Sequence, residues 1–260
     1  MSILSPVAWV GRTGIRIVGS VGQAGFLAAG AVRALRNVTI WGPNLVPQMV
    51  AVGVASIPIA LFIAAFTGIV LALQASYTFT GTVPLYFVGA LVGKTIILEL
   101  GPVLTGLALS GRVGANIAAE IGTMRVTEQI DALESLAYDP VAYLVVPRVL
   151  AGLVMFPVVV VFAMAMGIGS GWLTSLGLLD MSTPQFVRGL RLFFETFDVQ
   201  FALIKAASFG LIVTGLGCFY GFTCTGGAAG VGRSTTRSVV VASMMILVLD
   251  AFWAATLLRS

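Results

Sequence analysis

Histidine is absent from this chain of 260 residues, and cysteine occurs only as Cys218 and Cys224. Catalytic devices that use imidazole and zinc sites with histidine ligands are therefore excluded, and two thiols make neither a disulfide framework nor a complete metal site. Charged residues are also scarce, at 9%, whereas 58% are hydrophobic and the mean hydropathy is +1.06. Because an ordinary soluble domain carries about 25% charged residues, the composition predicts an integral membrane protein.

Acidic residues are missing from the N-terminal part of the chain, since none precedes Glu99. The first forty positions instead carry Arg12, Arg16, Arg33 and Arg36. Basic segments next to a bilayer normally stay in the cytoplasm, where anionic headgroups attract them. Apolar residues such as Trp9 and Phe26 then favour an amphipathic interfacial helix within residues 1–45. A cleaved signal peptide fits poorly, and an acid-free transit peptide is the remaining alternative.

Five segments are apolar and long enough to span a membrane, which takes about 20 residues of helix. They are Val46–Leu73, Leu85–Leu109, Val149–Leu179, Phe201–Phe222 and Val239–Leu258. The sequence therefore predicts an all-α integral membrane protein with an interfacial helix followed by five transmembrane helices. The third segment exceeds a hydrocarbon core of about 30 Å, so we expect it to tilt, to kink at Pro157 or to project beyond the core.

Basic residues outside the spans predict the orientation. With the N-terminus in the cytoplasm, nine bases fall on the inner side, whereas the outer side holds Arg188, Arg191 and Arg259. This asymmetry predicts a cytoplasmic N-terminus and a periplasmic C-terminus. The segment between spans three and four, about 180–200, then becomes an outer loop, and its mixed apolar and charged residues predict a short amphipathic helix.

Half of the ten acidic residues lie between positions 120 and 139, where Arg125 is the single base. Apolar residues recur at helical spacing from Ala118 to Tyr138, a polar stripe runs beside them, and Asp139-Pro140 ends the pattern. The pattern predicts an amphipathic helix on the cytoplasmic side, within a segment of about 111–148. From the residues alone, a solvated amphipathic hairpin lying on the bundle is one interpretation, because charged stripes usually face water.

Glycine patterns in the spans carry little functional information. The run from Gly89 to Thr95 has three residues between its glycines, whereas a phosphate-binding loop has four, so we expect any ATP and Mg²⁺ to be bound by another chain. Pairs of glycine four residues apart permit close helix contacts, which we interpret as packing within the subunit rather than as a dimer seam. These pairs are Gly89/Gly93, Gly167/Gly171 and Gly217/Gly221.

A longer ordered pattern is more specific. It comprises Glu99-Leu-Gly-Pro102, Ser110-Gly-Arg112, Ala119-Glu-Ile-Gly122, Met124-Arg125, Thr127-Glu-Gln129, Asp139-Pro140 and Pro147-Arg148. Together with Leu71-Ala-Leu-Gln74 and Ser234-Thr-Thr-Arg237, it resembles the MlaE/YrbE permease family, the membrane subunits of Mla- and Mce-type lipid ABC transporters. The resemblance covers nearly the full length of the chain.

The resemblance implies a five-span permease domain over residues 46–260, a homodimer, and a location in the bacterial inner membrane. It also implies a cytoplasmic ABC ATPase and an outer MCE-type lipid-binding protein as partners. In that family the segment between spans two and three is a coupling helix that docks on the ATPase. The implied coupling residues are Glu120, Met124, Arg125, Glu128, Asp131 and Glu134.

A phospholipid path follows from the same resemblance and from the cost of placing ionisable residues in a membrane. Lys205 is the first candidate for the headgroup, and Glu99 matches a family acid that faces the dimer cavity. Lys94 either contacts the headgroup itself or pairs with Glu99. For Lys94 and Lys205 alike, the alternative is an internal ion pair or extension of the side chain to headgroup level, and Asp250 is expected to bond within the bundle. The remaining candidates, at the outer end of span one, are Gln74, Tyr77, Leu71 and Leu73.

The implied function is that of a permease subunit, not itself an enzyme, in an ATP-driven transporter that moves phospholipid between the inner membrane and the MCE-type carrier. A secondary, ion-coupled transporter of an amphipathic substrate is the alternative, although the chain has no evident internal repeat. A membrane enzyme acting on lipid would need a convergent nucleophile and base, which the charge pattern does not provide. Nothing in the sequence indicates a nucleic acid partner.

Overall fold

The structure, a computed structural model, describes the backbone of residues 4–78 and 84–257 and, within these ranges, the side chains from residue 18 onward. Within these ranges it is helical throughout, with no β-strand. The helices are α1 (Leu4–Ala34), α2 (Val38–Val52), α3 (Ile57–Thr78), α4 (Tyr86–Thr95), α5 (Gly101–Leu109), α6 (Ala115–Val126), α7 (Gln129–Ser135), α8 (Val146–Leu178), α9 (Thr183–Leu192), α10 (Thr196–Phe222) and α11 (Gly227–Leu257).

Short irregular turns join several of these helices into longer rods. A 3₁₀ turn, Val54–Ser56, links α2 to α3. One π turn links α4 to α5, a second links α5 to α6, and a third directly precedes α8. The π turns are Ile96–Leu100, Ser110–Gly114 and Val141–Val145. Each turn shifts the angular position of the residues that follow it, so the polar side chains beyond it face new neighbours.

Five of the resulting rods are long and apolar enough to cross a membrane, which confirms the predicted spans. They are Val38–Thr78, Tyr86–Val126, Val141–Leu178, Thr196–Phe222 and Gly227–Leu257. The third rod continues through Pro157 and is about 57 Å long at 1.5 Å per residue. It therefore separates α7, at one end of the bundle, from α9, at the other. We refer to these as the α7 end and the α9 end.

Glycine allows the rods to approach closely. A Cβ atom on Gly210 of α10 would collide with the backbone oxygen of Gly152 in α8, and one on Gly68 of α3 would collide with that of Gly167. The glycine pairs singled out in the sequence also contact their own subunit, because Gly89 faces Phe186 and Gly221 faces Ile121. Their interpretation as internal packing residues is confirmed.

The core lies mainly between α3, α6, α8 and α10. Its largest cluster includes Phe156, Phe209, Val213 and Ile121, all buried. The last rod contributes little to it: α11 buries Gly230, Ser238, Ala242 and Ile246, while Met244 and Val248 are about 60% exposed. Such exposed apolar faces suit contact with lipid or with another membrane chain.

Two connecting helices were predicted, and the structure modifies one of them. The amphipathic helix at the α9 end is confirmed as α9, which begins with a capping box formed by Ser182 and Gln185. The predicted single helix from Ala118 to Tyr138 is wrong, because it breaks at Glu128, whose backbone is left-handed with φ of 60°. The first part, α6, continues span two, and α7 is a separate helix of seven residues.

Candidate functional site: an ionic cluster between the spans and a charged segment at the α7 end

Lys205 of α10 lies between two carboxylates, so that three ionisable residues from three spans meet. Its Nζ atom donates to Glu99 Oε2 at 2.6 Å and lies against Asp250 Oδ1 of α11. The ammonium also lies 4.9 Å from the centre of the Phe201 ring, at the distance of a cation–π contact. The expectation that Asp250 bonds within the bundle is confirmed, and we refer to Glu99, Lys205 and Asp250 as the ionic cluster.

The backbone next to Glu99 contributes a third polar partner to the ammonium, beside the two carboxylates. Lys205 Nζ donates to the carbonyl oxygen of Leu98 at 2.9 Å. In a regular helix this carbonyl would accept from the residue four positions later, which is Pro102 and has no N–H. The π turn leaves the carbonyl facing α10, so the sequence Glu99-Leu-Gly-Pro102 provides both a carboxylate and a free backbone acceptor for Lys205.

Exposure differs sharply within the ionic cluster. The Lys205 side chain is fully buried, Asp250 is 19% exposed and Glu99 is 45% exposed. A buried ammonium is stable only when it is paired, and here two carboxylates and a carbonyl surround it. With both carboxylates ionised, the cluster carries one net negative charge. Glu99, rather than Lys205, is therefore the group that faces outward from the bundle.

Lys94 lies in a separate ion pair, so the predicted pairing with Glu99 is wrong and the alternative of an internal ion pair is confirmed. Its Nζ atom donates to both oxygens of Asp198 at 2.8 Å and to the carbonyl oxygen of Phe193 at 3.0 Å. Asp198 is buried and also accepts from the backbone N–H of Glu195 at the start of α10. Lys94 therefore ties α4 to the beginning of α10 at the α9 end.

The other predicted lipid-path residues lie on α3. Leu71 packs against a buried cluster near the α9 end, whereas Leu73, Gln74 and Tyr77 are exposed. In the described part of the chain, no hydrogen bond joins the side chain of Gln74 to the ionic cluster. The structure thus brings Glu99 together with Lys205, whereas Lys94 pairs with Asp198. Leu71 packs against the buried cluster that contains Ile97 and Ala206.

The charged segment at the α7 end contains two internal ion pairs. Glu120 Oε1 lies 2.8 Å from Nη2 of Arg148, a residue of α8 that is nearly completely buried and also donates to the Leu144 carbonyl. Arg125 Nη1 donates to Asp131 Oδ1 at 2.6 Å, across the break between α6 and α7. The first pair fixes α6 to span three, and the second sets the angle of α7 against α6.

The remaining coupling candidates differ in accessibility. Glu128 and Glu134 are exposed and form no ion pair within the described residues, whereas Met124 is half-buried against the core. Leu136 and Tyr138, which follow α7, are 70% and 51% exposed. The accessible surface of this segment therefore combines free carboxylates with apolar side chains. Glu120 is also about half exposed, but its carboxylate is paired with Arg148.

Sequence reasoning missed three of the residues that organise these sites. Asp198 was not identified as the partner of Lys94, nor Arg148 as the partner of Glu120, and Asp250 was not included in the site. The Lys94 and Asp198 pair is separated by 104 positions, and no local pattern links such residues. A usable signal existed for Arg148 alone, since a charged residue that follows Pro147 at the start of an apolar span needs a partner.

The fold and these sites define a multi-pass helical membrane protein with ion pairs buried between its spans. Comparison with known proteins places it further. The family described as Permease MlaE matches residues 45–256, and the chain therefore belongs to the MlaE permease family.

Individual relatives agree with this assignment. The chain is 38% identical over 239 residues, 92% of each chain, to a probable ABC transporter permease protein of Rickettsia felis. It is 41% identical over 209 residues, 80% of each chain, to one of Synechocystis. It is 34% identical over 249 residues, 95% of each chain, to the intermembrane phospholipid transport system permease protein MlaE of Haemophilus influenzae. The resemblance recognised in the sequence is confirmed.

Proposed function

We propose that this protein is the permease subunit of an ATP-driven transporter that moves phospholipid between the bacterial inner membrane and an MCE-type carrier on its outer side. The chain works as a homodimer, and a separate ABC ATPase binds ATP and Mg²⁺ and hydrolyses the nucleotide. The observation that carries the proposal is the ionic cluster between the spans, with its outward-facing Glu99. The phospholipid named for the Haemophilus relative is the substrate that suits this setting.

The ionic cluster suits a passage for an amphipathic substrate. Its charges lie on three different rods, so a change in the relative positions of these rods changes how Glu99, Lys205 and Asp250 pair. Apolar side chains surround them and match acyl chains. A ligand shifts a conformational equilibrium only if it binds the two states unequally, and a cluster shared among rods provides that difference.

The charged segment at the α7 end suits the ATPase contact. Its free carboxylates and exposed apolar residues match the pattern of a helix that docks in a groove while charges fix its orientation. Movement of α7 passes to span two through the Arg125–Asp131 pair, and movement of α6 passes to span three through the Glu120–Arg148 pair. The cytoplasmic side of the protein is, on this proposal, the α7 end.

Purification and reconstitution test the proposal. The tagged chain is isolated from its native membrane, the co-purifying proteins are identified, and the complex is placed in vesicles with a fluorescent phospholipid and an acceptor carrier. We expect an ATPase and an MCE-type protein to co-purify, and we expect phospholipid transfer to require hydrolysable ATP. Transfer driven by an ion gradient without ATP would establish the secondary transporter instead, and recovery of the chain alone with ATP-independent transfer would contradict the proposal.

A further inference from the structure

A polar cleft at the α7 end lies apart from the ionic cluster and shares Glu120 with the proposed coupling. It has a volume of about 320 Å³ and lies between α2 and the helices around the Ser110–Gly114 turn. Its polar wall is formed by Gln48, Arg112, Asn116 and Glu120, and Val52 and Ile117 line its apolar side. The volume is at the small end of the range of about 300–1,000 Å³ typical of ligand sites.

Arg112 places a positive charge in the cleft, and no carboxylate of the described residues pairs with it. Arg112 Nη1 donates to Ser56 Oγ, and Ser56 in turn donates to the Val52 carbonyl, so the guanidinium is held at one edge. In the described ranges, 4–78 and 84–257, no carboxylate forms an ion pair with Arg112. Glu120 lies in the same cleft, but Arg148 pairs with it. The net charge of the cleft with Arg148 is therefore +1.

The depth of Arg112 places it at the level of lipid headgroups. Arg112 lies 26 residues after Tyr86 along span two, and Ser56 lies 22 residues before Thr78 along span one. At 1.5 Å per residue they are about 39 Å and 33 Å from the α9 end of those spans. With Thr78 and Tyr86 placed at the outer boundary of a hydrocarbon core about 30 Å thick, Ser56 and Arg112 both lie beyond that core, at the level of the headgroups on the α7 side.

Irregular backbone shapes both walls of the cleft. The 3₁₀ turn Val54–Ser56 ends the wall from span one, and the π turn Ser110–Gly114 presents Arg112 from span two. Such turns inside long helices are frequent at functional sites. The guanidinium retains N–H donors beyond the one bound to Ser56, and Asn116 and Gln48 add amide donors beside it. Donors in this arrangement match the oxygens of a phosphate group.

We propose that this cleft binds the phosphate of an anionic glycerophospholipid from the leaflet at the α7 end. The acyl chains then extend along the exposed apolar side of α2 and α3 into the bilayer. This site is distinct from the proposed passage at the ionic cluster, and it holds a lipid that stays with the protein at the base of span one.

Lipid titration tests the site. The full chain, with any subunits that accompany it, is delipidated in detergent and titrated with dioleoylphosphatidylglycerol, and bound lipid is counted by native mass spectrometry. Arg112→Gln is expected to weaken the binding of one phosphatidylglycerol about tenfold, since a charge-assisted contact to phosphate is lost. Arg237→Gln, which removes an exposed arginine from α11, is the matched control and is expected to bind like the wild type.

Further arms separate the possible outcomes. Lys205→Met in the same titration is expected to leave this phosphatidylglycerol bound, so failure of the transport proposal would not affect the result. Inorganic phosphate is expected to displace none of the lipid at millimolar concentration, and displacement dependent on Arg112 would identify free phosphate as the ligand instead. Asn116→Ala, at an exposed position, is expected to weaken binding several-fold and tests the cleft if Arg112→Gln does not fold. Unchanged affinity in both cleft variants would overturn the proposal.

Discussion

At the scale of single residues, the ionic cluster shows how a membrane protein accommodates a charge between spans. Lys205 has no access to water, and its stability depends on Glu99, Asp250 and the carbonyl that Pro102 leaves without a donor. These partners come from two distant parts of the chain, the turn of Leu98 and Glu99 in span two and Asp250 in span five. Removal of the cation therefore leaves two carboxylates close together in an apolar setting, which is less favourable than removal of the whole cluster.

Lys205→Met is expected to destabilise the protein by about 3–5 kcal/mol, because breaking a buried ion pair on one side leaves uncompensated charge. Thermal unfolding in detergent measures the change. The triple variant Lys205→Met, Glu99→Gln and Asp250→Asn is expected to recover most of the lost stability while remaining inactive in phospholipid transfer. A single variant as stable as the wild type would show that the ion pairs do not hold the spans together.

At the scale of helices and their contacts, close backbone approach holds α8 against α10. Gly210 meets the Gly152 carbonyl directly, whereas a Cβ atom on Gly215, one and a half turns further along α10, would meet nothing within 4 Å. The two glycines therefore differ in what an added methyl group does, although both lie in the same helix and have the same intrinsic helix propensity.

Gly210→Ala is expected to lower the stability by about 1–3 kcal/mol, because the methyl group forces two backbones apart. Gly215→Ala is expected to be neutral or stabilising by up to about 1 kcal/mol, since alanine favours the helix. Unfolding midpoints of the two purified variants, compared under the same detergent conditions, check this. Equal effects in both would contradict the structural difference between the two positions.

The broken helix at the α7 end separates residues that a single amphipathic pattern had grouped together. Glu120 is held by Arg148, and Asp131 by Arg125, whereas Glu128 and Glu134 are free carboxylates in the described part of the chain. Glu120 thus serves the internal link between α6 and span three. The free acids of α7 and the residue before it are the groups that a basic partner surface would meet.

Charge reversal of Glu134, alone or together with Asp131, is expected to weaken association with the ATPase by about tenfold while the protein still inserts and folds. Glu120→Gln is the matched comparison, and it is expected to lower thermal stability with little direct effect on ATPase binding. Quantified co-purification of the ATPase, alongside unfolding midpoints, separates the two effects. If the charge-reversed variants co-purify with as much ATPase as the wild type, α7 is a solvated surface helix and not the ATPase contact.

At the scale of the whole molecule, the rods alternate in direction and place α7 and α9 at opposite ends. The positive-inside rule predicts that the α7 end lies in the cytoplasm, because nine of the fourteen basic residues fall in segments that the sequence assigns to that side. Both native cysteines are buried, so an introduced cysteine at an exposed site reports on its own side of the membrane.

A cysteine substituted for exposed Leu136 is expected to react with a membrane-impermeant maleimide only in inverted vesicles. One substituted for Phe193, at the α9 end, is expected to react in intact spheroplasts. Labelling of the Leu136→Cys variant from outside would show that the α7 end faces outward. That result would contradict both the predicted orientation and the proposed contact of the α7 end with the ATPase.

The sequence by itself determined the class of the protein, the five spans, the short helix α9 and the family. These features depend on composition, on apolar runs of sufficient length and on a long ordered motif, all of which are local properties of the chain. The separation of a basic N-terminus from an acidic segment near position 130 was equally visible, because it requires only the order of the charges.

Only the tertiary structure decided which charges meet. Lys94 pairs with Asp198 rather than with Glu99, and Glu120 pairs with Arg148. The Lys205 side chain is fully buried and pairs with Glu99. The π turns rotate the residues that follow them, Pro102 frees a carbonyl for a side chain of another span, and Glu128 bends the acidic segment in two. The partner of each charge depends on the rotation and packing of whole rods, and residues more than a hundred positions apart carry no local signal of that arrangement.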